Sequence, residues 1–173
     1  MKIVVLKFGG TSVGTIKKIK KVAEIIANYK KKNYKVIVVS SAMSGVTNEL
    51  IKKSLKISKN FSYSEHDVLV SSGEQIACSL IAGRLVHKGY NSRSWMSWQI
   101  PILTKGSYKN SRICQINKNK IIRFLKEGGI PVITGFQGIN NEYRITTIGR
   151  GGSDASAIMI AKFFKAERWV IYT

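Results

Sequence analysis

The chain has 173 residues, enough for one domain with a real core, and 44% of them are hydrophobic, as in soluble globular proteins. No run approaches the roughly 20 apolar residues of a membrane-spanning helix, and the apolar stretch 3–6 is too short for a signal peptide. A net charge of +20 would suit nucleic acid or an acidic membrane surface, but the lysines are scattered along amphipathic segments such as Lys17-Lys18-Ile19-Lys20-Lys21-Val22. They read as a solvated basic face in a composition rich in Lys, Ile and Asn, so neither nucleic acid nor membrane is expected as a partner.

In chain order, residues 3–8 read as a continuous apolar strand carrying Lys7 near its end. Thr15 is placed to cap a helix reaching about residue 32, with Ile16, Ile19, Val22, Ala23 and Ile26 on one face and Asn33 as its breaker. Residues 36–39 are apolar and β-branched, as expected of a parallel strand covered on both faces. A small-residue loop over 40–45 follows, then a helix over about 48–57 capped by Thr47, and a polar irregular stretch over 58–64. A longer helix is expected over about 67–87, interrupted by Ser71-Ser72-Gly73.

Another strand falls within 89–98, and a helix over 117–126 ends at Gly128-Gly129. Residues 130–134 read as a strand, Gly135-Phe136-Gln137-Gly138 as a turn with the look of a ligand loop, and 143–148 as a short strand. A glycine-rich loop over 149–153 leads into a helix over 154–164, and a last strand covers 169–173. This alternation predicts an α/β fold with a mainly parallel sheet. The last residues, Ile171-Tyr172-Thr173, lie at a strand's carboxyl end, where open α/β sheets place their ligand sites. A domain seldom stops there, so the expectation is a fold truncated at its C-terminus.

Two segments carry the strongest chemical signal. In the first, Val4-Val5-Leu6-Lys7-Phe8-Gly9-Gly10-Thr11-Ser12-Val13, a strand delivers a lysine and two glycines to the sheet end. The glycines let backbone approach a ligand, and loop N–H groups with a helix N-terminus would form an anion nest. The lysine precedes the glycines, which excludes a P-loop. In the second, Thr146-Thr147-Ile148-Gly149-Arg150-Gly151-Gly152-Ser153-Asp154, Arg150 offers a planar fork for a carboxylate or phosphate. Ser153 can cap the helix or donate to an anion. Asp154 is favoured as an anion by the helix dipole and could position a lysine.

The nine acidic residues include two aspartates, Asp67 and Asp154. A drift toward lysine spares carboxylates mainly where something requires them, which singles out Glu74 in Ser71-Ser72-Gly73-Glu74 together with Asp154. Ser40-Ser41-Ala42-Met43-Ser44-Gly45-Val46-Thr47 suits a substrate-contacting loop. His66 and His87 lack metal-ligand spacing and read as surface or helix-end residues, and no metal ligands are assigned. Trp95 and Trp98 read as packing residues. Cys78 and Cys114 stand apart without a CxxC and are expected as reduced thiols in a cytoplasmic protein.

Taken together, Lys-Phe-Gly-Gly-Thr-Ser-Val at 7–13, Ser-Gly-Val-Thr-Asn at 44–48 and Ser-Gly-Glu at 72–74 resemble aspartate kinase. So do Gly-Phe-Gln-Gly at 135–138 and Thr-Thr-Ile-Gly-Arg-Gly-Gly-Ser-Asp at 146–154. They follow the family's order across the whole chain, within the wider amino acid kinase superfamily. The resemblance implies a three-layer sandwich around the sheet. It implies transfer of the γ-phosphoryl of ATP to the β-carboxylate of L-aspartate, the first step of the aspartate-family (lysine, threonine, methionine) pathway.

By motif, Lys7 would neutralise the transferring phosphoryl beside Gly9 and Gly10, with Asp154 organising the lysine. Phe8, Ser12 and Thr173 would lie on the nucleotide side. Ser41, Thr47, Glu74, Arg150 and Ser153 would contact aspartate, Glu74 at its ammonium and Arg150 at its α-carboxylate. ATP and Mg²⁺, the ion held mainly through the phosphates, are the implied cofactors.

The family continues beyond the Ile-Tyr-Thr strand with an Asp-rich loop, a second phosphate-neutralising lysine and usually regulatory ACT domains. On this reading residues 1–173 are the amino-terminal part of a kinase catalytic domain without an ACT domain. A homo-oligomer or a complementing chain would be its partner. The alternatives are a non-catalytic remnant or aspartate-binding fragment, and a basic nucleic-acid-binding protein.

Overall fold

The computed structural model describes residues 1–149 and 151–173. Over these the elements run β1 (Ile3–Phe8), α1 (Ile16–Lys31), β2 (Lys35–Ser40), α2 (Val46–Ile57), α3 (Tyr63–His87), β3 (Ser92–Trp95) and β4 (Ile102–Lys105). They continue with β5 (Arg112–Ile116), α4 (Asn119–Lys126), β6 (Ile130–Thr134), β7 (Gln137–Ile139), β8 (Ile145–Thr147), α5 (Gly152–Phe163) and β9 (Arg168–Tyr172).

The apolar strands pair in parallel in the order β3-β6-β2-β1-β9. Successive side chains of a strand face opposite ways, so β1 feeds two cores. Val4, Leu6 and Phe8 pack with Ile19, Val22 and Ile26 of α1 and Cys78, Ile81 and Leu85 of α3. Ile3 and Val5 pack with Ile121 and Leu125 of α4 and Ala157, Ile160 and Ala161 of α5. This is the expected three-layer α/β sandwich. Lys7 shares the parity of Ile3 and Val5, so it points to the α5 side. Strand order reverses beside β1, with β2 on one side and β9 on the other, and the carboxyl ends at such a switch point form the natural ligand crevice.

A second sheet, in the order β5-β4-β7-β8, was not expected. Its strands are three to five residues long and rich in polar side chains, so they carry no clear period of two. The expected turn over 135–138 is half a strand: Gln137 opens β7. Gly138 serves close strand approach there, because a Cβ would fall 2.3 Å from Thr104 Cγ2.

Several helix expectations also change. Helix α3 starts earlier, at Tyr63, and runs unbroken through Ser71-Ser72-Gly73. The hydroxyls donate back to Val68 O (2.9 Å) and Leu69 O (2.7 Å), so they do not compete with the helix. Gly73 is small because a Cβ would meet that of Ala42 at 2.7 Å. Helices α2 and α5 are capped by Gly45 (φ 86°) and Gly151 (φ 72°), not by Thr47 or Ser153. Both hydroxyl residues instead sit in first turns. Thr15 does cap α1, accepting from the Lys18 N–H at 3.2 Å, and Asn33 takes φ 62° just past its end. Ile16 is exposed rather than on the buried face. No described helix is long and apolar enough to cross a membrane.

Candidate active site

The carboxyl ends of β1 and β2, the N-termini of α2 and α5, and one face of α3 enclose a cavity of about 340 Å³. It brings together Lys7, Gly10, Ser41, Thr47, Glu74, Ser153 and Asp154, seven of the residues expected from sequence. Two helix N-termini opening on one cavity favour an anion there, since their free N–H groups and dipoles point the same way.

Lys7 is 6% exposed, and its ammonium must find a counter-charge. It does so in Asp154, with Nζ 2.6 Å from Oδ1. The contact is a close ion pair, and Asp154 Oδ1 is itself buried.

Glu74 reaches the cavity from α3 and is 3% exposed. Its Oε1 accepts from the Ala42 N–H at 3.0 Å, whereas Oε2 is buried without a partner among the described residues. Burial pushes this carboxyl up to about 7, against the smaller opposing effect of the Ala42 hydrogen bond. A carboxylate so placed gains most from a cation arriving with a ligand. Burial, aided by the charge of Glu74, also pushes the Cys78 thiol up, so that thiol is inert.

The two glycines after β1 do different things. The Gly9 N–H donates to Tyr172 O at 2.8 Å and is therefore not free for a ligand, contrary to expectation. A Cβ at Gly9 would lie 3.3 Å from Lys7 Nζ and 3.6 Å from Thr173 Cα, so Gly9 forms a thin partition. Gly10 lies on the cavity wall, and its N–H has no partner among the described residues.

Beyond the partition, Phe8, Ser12 and Thr173 line a second cavity of about 290 Å³ together with Lys18, Lys21 and Tyr172. The Phe8 ring is buried and stacked on Tyr172 (4.9 Å between centroids). The residues expected on the nucleotide side are thus apart from the Lys7 cavity. Arg150 lies outside the described residues; its neighbours Gly149, Gly151 and Gly152 line the main cavity.

Sequence reasoning placed Ala42 and Phe136 in candidate ligand loops without giving either a role: the Ala42 N–H holds Glu74, and Phe136 lines the cavity at φ 65°. It likewise gave no role to Asp67 and Gln137, both fully buried. The scarcity of aspartate was the available signal for Asp67. His87 ends α3, and His66 stands 3.4 Å from Asp67. Trp95 is buried edge-to-face on Phe124, but Trp98 is 42% exposed. Both cysteines are free, Cys78 buried and Cys114 exposed. Among the described residues no three His, Cys, Asp or Glu side chains form a group fit to hold a metal.

The site can be set beside known proteins. Residues 2–173 match the amino acid kinase family. An aspartokinase of Rickettsia bellii is 44% identical over 176 aligned residues, covering all of this chain and 43% of that protein. The crystal structure of aspartate kinase from Synechocystis superposes with a TM-score of 0.84 at 38% identity, over 98% of this chain and 28% of that one. E. coli aspartokinase III in complex with aspartate and ADP superposes with a TM-score of 0.85 at 25% identity, over 99% of this chain and 49% of that one. The chain therefore spans less than half the length of the curated relatives it matches. With the family model covering almost every residue, the conclusion is that the chain belongs to the amino acid kinase family.

Proposed function

We propose that this chain forms the aspartate pocket and part of the phosphoryl-transfer site of an aspartate kinase. The reaction passes the γ-phosphoryl of ATP to the β-carboxylate of L-aspartate, giving 4-phospho-L-aspartate, the first step of the aspartate-family amino-acid pathway, in the cytoplasm. Residues 1–173 are the amino-terminal part of its catalytic domain. The observation that carries this reading is the pairing, in one cavity, of a buried Glu74 oxygen that has no partner among the described residues with the Lys7–Asp154 ion pair. The first is a receptor for an ammonium, the second a receptor for a phosphoryl group, and a substrate amino acid that is phosphorylated needs both.

The donor set fits phosphate oxygens: the Lys7 ammonium, the Gly10 amide, which has no partner among the described residues, and two helix N-termini. ATP supplies the phosphoryl group, and Mg²⁺ carried on its phosphates adds positive charge. Lys7 neutralises charge on the transferring group while Asp154 keeps its ammonium aimed. Glu74, as a carboxylate, binds the aspartate ammonium. Arg150 clamps the α-carboxylate beside Ser153, and the Ser41 and Thr47 hydroxyls border the substrate. Phe8, Ser12 and Thr173 belong to the nucleotide side. The nucleophile is a carboxylate, already ionised at neutral pH, so no general base is required and the scarcity of histidine is no obstacle.

Calorimetric titration with L-aspartate tests the reading, with L-alanine as a control that keeps the ammonium and α-carboxylate. Aspartate should bind the wild-type chain, and Glu74→Gln should weaken it about 100-fold, as expected when a buried charge loses its partner. Equal binding by both proteins, or equal binding of alanine, would overturn it. A second reading is an aspartate-binding protein without turnover. Aspartate-dependent ADP release, measured alongside, separates the two.

A further inference from the structure

Asp67 has no part in the chemistry just described, yet it is the most fully engaged carboxylate in the described structure. It is 0% exposed. Its Oδ2 accepts from the Thr147 N–H at 2.7 Å and the Lys109 N–H at 2.9 Å, and its Oδ1 accepts from the Thr147 hydroxyl at 2.8 Å. These donors come from β8 and from the connection between β4 and β5, segments far from α3 in the chain. Burying a carboxylate is costly, and apolar packing of similar volume would hold a core as well or better. What three converging hydrogen bonds provide is a fixed geometry between the elements they join.

That geometry bears on the cavity. Thr147 directly precedes Ile148 and Gly149, and Gly149, Gly151 and Gly152 line the cavity. A Cβ at Gly149 would fall 2.7 Å from Asn110 Oδ1, so the glycine loop also rests on the connection that Asp67 holds through Lys109. Asp67 and Glu74 lie about two helical turns apart on the same buried face of α3. One helix thus presents the ammonium receptor at one point and anchors the glycine-rich wall two turns away. Gln137 supports the same arrangement, donating from Nε2 to Ser71 O at 3.0 Å and accepting from Ser97 Oγ at 3.2 Å.

We infer that Asp67 is a positioning residue: through the wall formed by Gly149, Gly151 and Gly152 it sets the spacing between Glu74 and Asp154 at the start of α5, the phosphoryl end of the cavity, and thereby the length of acidic amino acid the cavity accepts. The specificity half of this inference rests on the proposed function; the anchoring half does not. The experiment therefore reads both in the full chain and in Asp67→Asn. Amide hydrogen exchange followed by NMR reports the anchor, and calorimetric titration with L-aspartate and L-glutamate reports the spacing.

In Asp67→Asn, exchange at Lys109, Thr147, Gly149, Gly151 and Gly152 should quicken at least about tenfold while β1 and β2 amides keep wild-type rates. Aspartate affinity should fall about tenfold, and the preference for aspartate over glutamate should shrink. Thr147→Val removes one hydrogen bond at constant volume; it should give the same pattern at smaller amplitude, and it carries the test if the asparagine variant does not fold. Unchanged exchange, or exchange accelerated uniformly over the chain, overturns the anchor. A loosened loop with aspartate affinity and discrimination intact overturns the spacing role. If the wild-type chain takes up no aspartate, the proposed function fails, while local exchange still decides for or against the anchor.

Discussion

Helix α3 carries two buried carboxylates with opposite fates. At Asp67 both oxygens are filled by donors from the protein itself. At Glu74, two turns on, one oxygen has a single backbone donor and the other has none among the described residues. Full satisfaction marks a group that holds the structure in place. Partial satisfaction of an equally buried group leaves room for a partner carried by a ligand. On the proposed reading the same helix serves as a strut at one end and as a receptor at the other.

The comparison breaks most clearly on stability. Asp67→Ala should lower the unfolding free energy by roughly 3 kcal/mol, because it strands the buried Thr147 amide and hydroxyl and removes the acceptor of the part-buried Lys109 amide. Glu74→Gln should change it by less than about 1 kcal/mol below about pH 4.5, where the wild-type carboxyl is also neutral and little is stranded, and should raise it near pH 7. Chemical denaturation of the two variants checks this, and similar losses from both would erase the distinction.

Acidity sharpens the contrast next. The folded-state carboxyl of Glu74 is raised from its usual 4.5 to about 7. Between those values the folded chain binds more protons at this site than the unfolded chain. This group's contribution to stability is therefore greatest below about pH 4.5 and falls as pH rises to about 7, by a few kcal/mol. Glu74→Gln should remove that slope in urea titrations across the range. Aspartate affinity should move the other way, rising with pH through about 7 as the ammonium receptor ionises; a flat affinity profile in the wild type would count against an ionised Glu74 in the complex.

A smaller effect is expected where the receptor is tuned. Gly73→Ala would press on Ala42, whose N–H is the donor to Glu74. It should cost about 1–2 kcal/mol of stability by crowding and weaken aspartate binding severalfold, both readable by thermal unfolding and calorimetry. The smallest change is Thr147→Val, about 1 kcal/mol for one hydrogen bond of the Asp67 cluster.

Much of the layered architecture was legible because its signals are local. The runs at 3–8, 36–39 and 130–134 are apolar enough to be strands covered on both faces, and all three lie in the main parallel sheet. The expected break at Ser71-Ser72-Gly73 failed because propensity reads those residues as helix breakers. The structure instead uses back-bonded hydroxyls and a glycine pressed against Ala42. The second sheet was invisible for a related reason: its short strands are defined by partners and not by their own periodicity.

At the site, the sequence by itself determined the chemical inventory: a lysine at the end of a strand, glycines where backbone must come close, and carboxylates retained in a lysine-rich chain. These are properties of residue type and neighbour order. Only the tertiary structure decided which of them meet. It committed the Gly9 amide to Tyr172 and put Phe8, Ser12 and Thr173 in a separate cavity. It also brought several donors to Asp67 and one to Glu74 among the described residues. The reason is physical: whether a buried charge is a strut or a receptor depends on how many donors reach it, and those donors come from segments remote in the chain.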